Sequence, residues 1–472
     1  MPTKRGSLGG RACRICAVCF CAIILLQSLL ALPTTQPVAV LLGLLAGAGA
    51  LLLCLRYLRP GKGFTIFLPV LRFALALFFI LWLKPQPVQD FNTLYTAAQQ
   101  LAQGSHAYLD NLYFFNWAYQ SAFMAYEALV ISLFGPSPLP LQVLNACYMA
   151  LTNLLVYLIA RRLTGERAAM AAGVLYALYP APLFLAGVLT NQHLSVFLFY
   201  AGIYLLVKQP HLSPLRGVGA GALLALGNAM RPIGVIPLLA ALVWCICSAL
   251  RHIRWRDLLH GVCVAASYFA VGATLTGLIV VSGINPEGLG NNQPMWKFAV
   301  GLNQQSSGCW NAADYDAFLS LPTEEAHAAM THAVEQRLEV GIPQLAGLGW
   351  RKSAVMWAAN EDLYWGFGHL DADRPVLSFL PGITWNQMQL LLGGLDKGIY
   401  LLAFTLALVG LLIKLRRPES CGRSLLLTML VCGYYAVHLI VEVQVRYRYF
   451  LMPCVFILAT LALERLLPKK TK

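Results

Sequence analysis

The sequence predicts an all-α polytopic membrane protein with about 12 transmembrane helices. Hydrophobic residues make up 58% of the 472 residues and charged residues only 11%, against about 25% charged residues in a typical soluble domain. Apolar runs of about 20 residues, the length needed to cross a bilayer, recur from end to end of the chain. Because a backbone in lipid must satisfy its own hydrogen bonds, we expect these runs to be helices. They are too long and too uniformly apolar for barrel strands.

Twelve apolar runs are separated by short polar turns. The predicted spans are residues 15–32, 38–55, 64–83, 139–160, 168–185, 194–207, a seventh ending near 231, 234–250, 262–282, 399–415, 425–441 and 450–467. Basic clusters such as 161–167 and 251–256 lie in alternate turns, as the positive-inside rule requires of cytoplasmic turns. We therefore expect a multi-pass protein of the plasma membrane with both termini in the cytoplasm.

The formal charge of +14 is carried by these short basic clusters. They do not form a basic and aromatic module of the kind that binds nucleic acid. We therefore expect membrane lipids as partners and no nucleic acid. Most of the 13 cysteines lie inside apolar runs, where thiols act as small apolar groups, so no disulfide framework is indicated.

Two long connecting segments fall on the outer side of this topology. The first, residues 84–138, contains an apolar stretch from Leu112 to Phe134 with Asn116, Gln120 and Glu127 in it, and we expect it to lie at the interface or to re-enter the membrane. The second, residues 283–395, has no clear span, and Thr323 looks like a helix start. The sequence thus divides into two added N-terminal helices (1–63), a core (64–282), the long loop (283–395) and C-terminal helices (396–472).

Asp90 is the first candidate site residue. Pro85 and Pro87 end the third span, and Asp90 then opens a short helix that Gly104 ends. The chain has only 20 acidic residues, so a carboxylate at a membrane face needs a reason. One reason is that Asp90 caps the helix N-terminus; the other is that it has a chemical role.

Arg446 and Arg448 break the charge rule, because they lie between tyrosines on the outer side. They could anchor the chain in the headgroup layer, or they could bind an anion, since the guanidinium fork matches phosphate oxygens. Asn191, His193 and Arg231 lie on the same side. A carboxylate beside phosphate-binding arginines at the lipid boundary indicates chemistry on a lipid-linked phosphate.

These features resemble the GT-C superfamily of membrane glycosyltransferases, in particular the branch of protein O-mannosyltransferases and the bacterial aminoarabinose transferase. The stretches that carry the likeness are Asp90 with Tyr95, Ala98, Leu101 and Gly104; residues 134–137, Asn145 and 156–165; residues 177–180 and 230–232; and Glu442, Arg446, Tyr447 and Pro453. The resemblance implies a GT-C-like fold and a polyprenyl-phosphate-linked sugar as donor.

The resemblance also implies roles for individual residues. Asp90 takes the position of the catalytic base or acceptor-orienting group, and the donor phosphate is expected at Arg446 and Arg448, with Arg231 second and Tyr447 as a further contact. Further substrate-binding candidates are Tyr95, Asn191, Gln192, His193, Asn303, Lys352 and Glu442.

One departure from the family pattern concerns a second acid. Related enzymes often carry a carboxylate in the turn before the sixth span, where this chain reads Thr190-Asn191-Gln192-His193. This puts a two-carboxylate or metal-assisted scheme in doubt. We assign no metal ligands and no required cofactor, although Asp90 with His193 leaves a divalent metal open.

The sequence therefore predicts a glycosyltransferase, inverting at the anomeric carbon, that acts on the outer face of the plasma membrane. Its acceptor could be an envelope polymer, a lipid or a protein. Two other functions stay open: a multispan transporter or flippase of lipid-linked sugar, which would need an internal repeat and polar groups at mid-membrane, and a family member that binds lipid phosphate without catalysis, which the missing second acid suggests.

Overall fold

In the computed structural model the chain is almost entirely helical, and the structure describes residues 8–32, 36–208, 213–377, 380–416 and 422–466. The helices up to the first long connection are α1 (Leu8–Leu30), α2 (Pro37–Tyr57) and α3 (Lys62–Leu83). Three helices follow in that connection: α4 (Gln89–Ala102), α5 (Leu112–Asn116) and α6 (Ser121–Phe134). The next seven are α7 (Leu139–Leu163), α8 (Glu166–Leu178), α9 (Ala181–Phe184), α10 (Gln192–Val207), α11 (Pro214–Met230), α12 (Val235–His252) and α13 (Trp255–Val281).

The second long connection and the C-terminal part contain the remaining elements. Five helices lie in the connection: α14 (Trp296–Gly301), α15 (Ala312–Leu319), α16 (Thr323–Leu338), α17 (Ile342–Ser353) and α18 (Tyr364–Phe367). A two-stranded antiparallel hairpin follows, formed by β1 (Pro375–Leu377) and β2 (Leu380–Thr384). The chain then continues with α19 (Trp385–Arg416), α20 (Arg423–Ile440) and α21 (Met452–Leu466).

Every one of the twelve predicted spans coincides with a helix, and the all-α polytopic class is confirmed. Within the described ranges, seven helices are long and apolar enough to cross a membrane: α1, α2, α3, α7, α13, α19 and α20. Two more, α10 and most of α12, are shorter but apolar. The ends of the chain, for which a cytoplasmic location is predicted, fall at residues 1–7 and 467–472, outside the described residues.

The fifth predicted span is shorter than expected because the chain breaks at Pro180. Helix α8 ends at Leu178, and α9 starts after the break. Arg72 of α3 lies fully buried at this break and donates hydrogen bonds from Nη1 to the carbonyls of Ala177 (2.7 Å) and Tyr179 (3.0 Å). A cation is favourable at the carbonyl end of a helix, so Arg72 faces protein and stabilises the break.

Close contacts between glycines and neighbouring backbones set the packing of several spans. Helix α2 packs along α19, and a Cβ on Gly43, Gly394 or Gly398 would clash with the facing helix. Helices α11 and α13 pack in the same way around Gly221, whose Cβ would meet the carbonyl of Val264. Small residues allow the backbones of membrane helices to approach each other. The two N-terminal helices thereby become part of the bundle.

The two long connections carry short helices, as expected for 84–138 and 283–395. The stretch 112–134 does not form one span, because α5 and α6 are separated by a 3₁₀ turn at Ala118–Gln120. Helix α16 begins at Thr323, as predicted. The hairpin was not predicted, and α19 begins at Trp385, well before the predicted span, so the second connection ends earlier than expected.

Candidate active site

A cavity of about 600 Å³ opens where both long connections meet the helix ends. It lies between the start of α4, the turn between α11 and α12, the start of α14 and the link between α20 and α21. Its charged lining residues are Asp90, Arg231, Lys297, Glu442 and Arg446. The cavity therefore holds three basic and two acidic groups, together with an aromatic lining.

Asp90 lies in the first turn of α4, and its side chain is exposed at the cavity. The N-cap position is taken by Val88, and no side chain caps this helix. The interpretation of Asp90 as a helix cap is therefore wrong. In the described part of the chain, no hydrogen bond or ion pair involves the Asp90 carboxylate. Burial raises the pKa of Tyr113 well above its usual value, and the charge of Asp90 adds to this rise.

Arg446 is held by stacking rather than by a carboxylate. Its guanidinium carbon lies 4.1 Å from the ring centre of Trp365 and 5.1 Å from that of Phe91. Its Nε donates to Oε1 of Gln444 (2.8 Å), and its carbonyl accepts from Nε2 of Gln192 (2.7 Å). Neither Nη atom forms a hydrogen bond to the described residues. Burial lowers the pKa of Arg446, an effect that a bound anion would oppose.

Arg231 stands at the end of a chain of amide side chains. Its Nη1 donates to Oδ1 of Asn191 (3.0 Å). Asn191 donates to Oε1 of Gln120 (3.3 Å). Nε2 of Gln120 in turn donates to the hydroxyl of Tyr113 (3.2 Å). The guanidinium also lies 5.1 Å from the ring centre of Tyr447. The predicted residues Asn191, Arg231 and Tyr447 thus meet at the cavity wall.

Lys297 and Glu442 form an ion pair in the same cavity. Glu442 also accepts from Nε2 of Gln444 (2.7 Å), which links the pair to Arg446. Burial raises the pKa of Glu442, but the charge and hydrogen bond of Lys297, together with Gln444 and Arg446, lower it, and the net pKa lies below the usual value. Glu442 is therefore ionised. Sequence reasoning missed Lys297, although it is the only lysine between Lys208 and Lys352.

Arg448 lies outside the cavity, and its predicted role at the donor phosphate needs correction. Its side chain is buried, and Nε and Nη2 both donate to Oε2 of Glu361 (3.2 and 2.7 Å). Nη1 donates to the carbonyls of Trp357 and Ala359. Because its charge and its donors are already satisfied, Arg448 ties the second connection to the membrane helices and is not offered to a ligand.

Lys352 and Asn303 also lie away from the cavity lining. The Lys352 ammonium is buried and donates to three carbonyls, those of Gly301 (2.7 Å), Leu439 (2.9 Å) and Val441 (2.9 Å). Asn303 donates to Asp314 (2.9 Å), and its Oδ1 accepts from two backbone amides of its own turn. Both side chains hold the second connection in place, so direct substrate contact by either is not supported.

Three further candidates are buried and do not line the cavity. Tyr95 is buried between α4 and α6 and donates to the carbonyl of Pro136. His193 is buried against the hydroxyl of Tyr449 (2.6 Å) and the carbonyl of Leu185 (2.9 Å). Gln192 is buried and positions the backbone of Arg446. None of these three side chains lines the cavity.

Metal ligation was left open for Asp90 with His193. His193 is fully engaged in its two hydrogen bonds, and Asp90 lines the cavity from another element. Within the described ranges, no group of three or more His, Cys, Asp and Glu side chains is arranged to hold a metal ion. The pair therefore does not form a metal site in this arrangement.

Part of the chain is similar to a known protein family. Residues 122–275 match the family model described as dolichyl-phosphate-mannose-protein mannosyltransferase. The match runs from α6 into α13 and includes Asn191 and Arg231, but not Asp90 or Arg446. The resemblance to the protein O-mannosyltransferase branch is thereby confirmed over that part of the chain.

The comparison with solved structures gives a distant match. The crystal structure of ArnT from Cupriavidus metallidurans bound to undecaprenyl phosphate is 13% identical in sequence, with a TM-score of 0.36. The alignment covers 86% of this chain and 79% of that chain. A search of the curated proteins finds no match. The long apolar helices indicate a multi-pass helical membrane protein, and its residues 122–275 are similar to the mannosyltransferase family.

Proposed function

We propose that this protein is a glycosyltransferase that moves a sugar from a polyprenyl-phosphate donor to an acceptor hydroxyl, with inversion at the anomeric carbon. The observation that carries this proposal is the shared cavity, in which the unpaired carboxylate of Asp90 faces the same space as Arg446 and Arg231. The match of residues 122–275 to a mannosyltransferase family supports the reaction class.

Asp90 and the two arginines have separate roles in the proposed reaction. The acceptor oxygen forms a bond to the anomeric carbon, and the bond from that carbon to the phosphate oxygen breaks on the opposite side. Asp90 takes the proton of the attacking hydroxyl. The phosphate oxygen keeps the bonding electron pair, and the free Nη atoms of Arg446, with Arg231, stabilise its growing charge. Attack opposite to the leaving group inverts the configuration.

The lipid part of the donor needs an apolar wall next to these cations. The cavity offers one on α12 and α20, formed by Ile233, Val235, Ile236, Val437 and Val441. Val235 and Val437 are also exposed, by 53% and 39% respectively. A polyprenyl chain can therefore lie along these helices while its phosphate reaches the arginines.

We further propose that the cavity faces the outside of the plasma membrane, because the basic clusters 161–167 and 251–256 lie at the opposite helix ends. On this topology both termini are cytoplasmic. The two N-terminal helices (1–63) act as an addition to a catalytic core (64–282), which is followed by the second connection and by the C-terminal helices from Trp385 onward.

The direct test is sugar transfer by the purified full-length protein in proteoliposomes. The substrates are radiolabelled polyprenyl-phosphate hexoses and pentoses, offered with a mixed extract of envelope glycans, lipids and proteins. We expect the label to leave the polyprenyl phosphate and to appear on an acceptor. Label that crosses the bilayer while still attached to its lipid, without transfer, would instead identify a flippase.

Two arginine variants sharpen this test. R446A removes the proposed phosphate contact, and we expect at least tenfold weaker donor binding, because charge-assisted hydrogen bonds contribute about 1.5–3 kcal/mol. R351A is the matched control, since Arg351 is exposed in α17 and lies outside the cavity. Equal donor affinity in the two variants would remove Arg446 from the phosphate site.

A further inference from the structure

We propose that Trp310 and Tyr315 form a subsite for a sugar ring of the acceptor, so that the acceptor is a carbohydrate. This inference rests on the proposed function and names the class of its second substrate. Both residues line the cavity. Both are also exposed, Trp310 by 53% and Tyr315 by 43%. They therefore stand at the open margin of the cavity, whereas Arg446 is half-buried inside it.

The two rings belong to one aromatic shelf. The ring centres of Trp310 and Tyr315 lie 6.3 Å apart, and the edge of Tyr315 meets the ring of Trp296 at a centre distance of 6.3 Å and an angle of 86°. Trp296 is buried, so it supports the shelf from below. Two neighbouring exposed aromatic rings at the margin of a cavity form an apolar surface that a bound ligand can cover.

The shelf is fixed rigidly to the rest of the protein. Tyr315 belongs to α15, and its neighbour Asp314 is buried and accepts four hydrogen bonds. The donors are Asn303 (2.9 Å), Asn311 (3.1 Å), Nη1 of Arg337 (3.1 Å) and Nη2 of Arg337 (2.7 Å). The turn, α15 and α16 are thereby locked together. Rigid aromatic side chains lose little entropy when a ligand stacks on them.

The chemistry of the margin favours a carbohydrate over a peptide or a lipid. The C–H face of a sugar ring carries partial positive charge and packs on the negative face of an aromatic ring. Neutral amides that can both donate and accept, as hydroxyl groups require, line the same cavity: Gln120, Asn191, Asn291 and Gln444. The apolar wall that suits a lipid chain is formed instead by α12 and α20.

The exposed position also separates this shelf from the donor site. The donor phosphate is expected at Arg446 and Arg231, inside the cavity. An acceptor polymer must enter from the water side, and the shelf stands where such a chain would first make contact. A sugar ring bound there can place a neighbouring hydroxyl group toward Asp90.

The test uses the full-length protein in lipid nanodiscs and measures the binding of a panel of neutral tetrasaccharides built from mannose, glucose or N-acetylglucosamine. An unglycosylated Ser/Thr-rich peptide is measured beside them. We expect at least one tetrasaccharide to bind and the peptide not to bind. W310A and Y315A should each weaken sugar binding about tenfold, and W350A should leave it within about twofold.

W350A is the matched control because Trp350 is also 45% exposed and lies in the same long connection, but outside the cavity. Binding of undecaprenyl phosphate, measured in the same samples, should be unchanged in W310A and Y315A. The proposal is overturned if no tetrasaccharide binds, if the peptide binds instead, or if W310A weakens the binding of undecaprenyl phosphate. If the wild type binds a tetrasaccharide but does not bind undecaprenyl phosphate, the proposed function is contradicted and the shelf is not.

Discussion

Arg446 is a cation that stacks on aromatic rings, and neither of its Nη atoms forms a hydrogen bond to the described residues. Trp365 and Phe91 face its guanidinium, and Gln444 orients Nε. Stacking stabilises the cation without using the two Nη groups, whereas a carboxylate partner would occupy them. At the scale of single residues, this difference separates Arg446 from Arg448, whose donors are already bonded to Glu361 and two carbonyls.

The stacking partner gives a first prediction. In W365A the guanidinium of Arg446 loses its platform, and we expect the KM for the lipid-linked donor to rise about fivefold with little change in kcat, since a cation–π contact contributes about 0.5–2 kcal/mol. W365F keeps a ring and should recover most of the affinity. The measurement is steady-state transfer at varied donor concentration. A loss confined to kcat would show that Trp365 does not position a binding group.

The buried pair of Arg448 and Glu361 gives a second prediction. E361Q leaves the Arg448 charge uncompensated, and we expect a loss of about 3 kcal/mol in the free energy of unfolding. Thermal unfolding in detergent measures this loss. The protein that remains folded should bind undecaprenyl phosphate with unchanged affinity. A folded E361Q protein with weakened phosphate binding would return Arg448 to the donor site.

At the scale of elements, α15 and α16 are joined by one buried carboxylate. Burial raises the pKa of Asp314, but the hydrogen bonds from Arg337, Asn303 and Asn311 and the charge of Arg337 together lower it, so the net pKa lies below the usual value of an aspartate. A lowered carboxylate pKa means that the folded state holds the proton less tightly than the unfolded state. The stabilisation is therefore complete above the unfolded value and is lost as the pH falls through the folded value.

This sign gives a third prediction. At pH 7 the free energy of unfolding of D314N should be about 2 kcal/mol lower than that of the wild type. D314N should therefore also unfold at a lower temperature. The difference should shrink as the pH falls below the unfolded pKa of Asp314, because the wild type then begins to lose its own ion pair. The measurement is hydrogen exchange of α15 in both proteins, at pH 7 and at a pH below the unfolded pKa of Asp314. A difference independent of pH would contradict the role of the Asp314 charge.

Helix packing through glycine gives a fourth prediction. In G398A the new Cβ would clash with the backbone of α2 around Val40 and Leu44, so we expect α2 and α19 to separate and the melting temperature to fall. G272A is the matched control, because a Cβ on Gly272 of α13 meets no atom within 4 Å. Since alanine favours a helix over glycine by about 1 kcal/mol, G272A should be neutral or stabilising. Equal effects of the two substitutions would exclude steric packing at Gly398.

At the scale of the whole molecule, hydropathy was enough to predict the fold class. Each apolar run became a helix, because lipid leaves the backbone no other partner. The break after α8 is explained by Pro180, which follows α8 closely, and the helix start at Thr323 was predicted from local sequence. The hairpin and the early start of α19 were not, because they depend on packing within the second connection.

The site was only partly predictable for a related reason. Asp90, Arg231 and Arg446 could be found because charged residues at a membrane boundary are rare. Lys297 and Trp365 could not, since their importance comes from partners far away in the chain. For the same reason Arg448 looked like a phosphate ligand and Lys352 like a substrate contact, although Glu361 pairs with Arg448 and three carbonyls accept from Lys352.

The central proposal is that Asp90 takes the proton of the acceptor hydroxyl while the arginines hold the donor phosphate. The most direct measurement is the single-turnover rate of sugar transfer by wild type and D90N at saturating donor, with the donor affinity of each determined separately. We predict that D90N binds the donor with the affinity of the wild type and transfers its sugar about 10²–10⁴ times more slowly. Transfer by D90N at the wild-type rate would contradict the account.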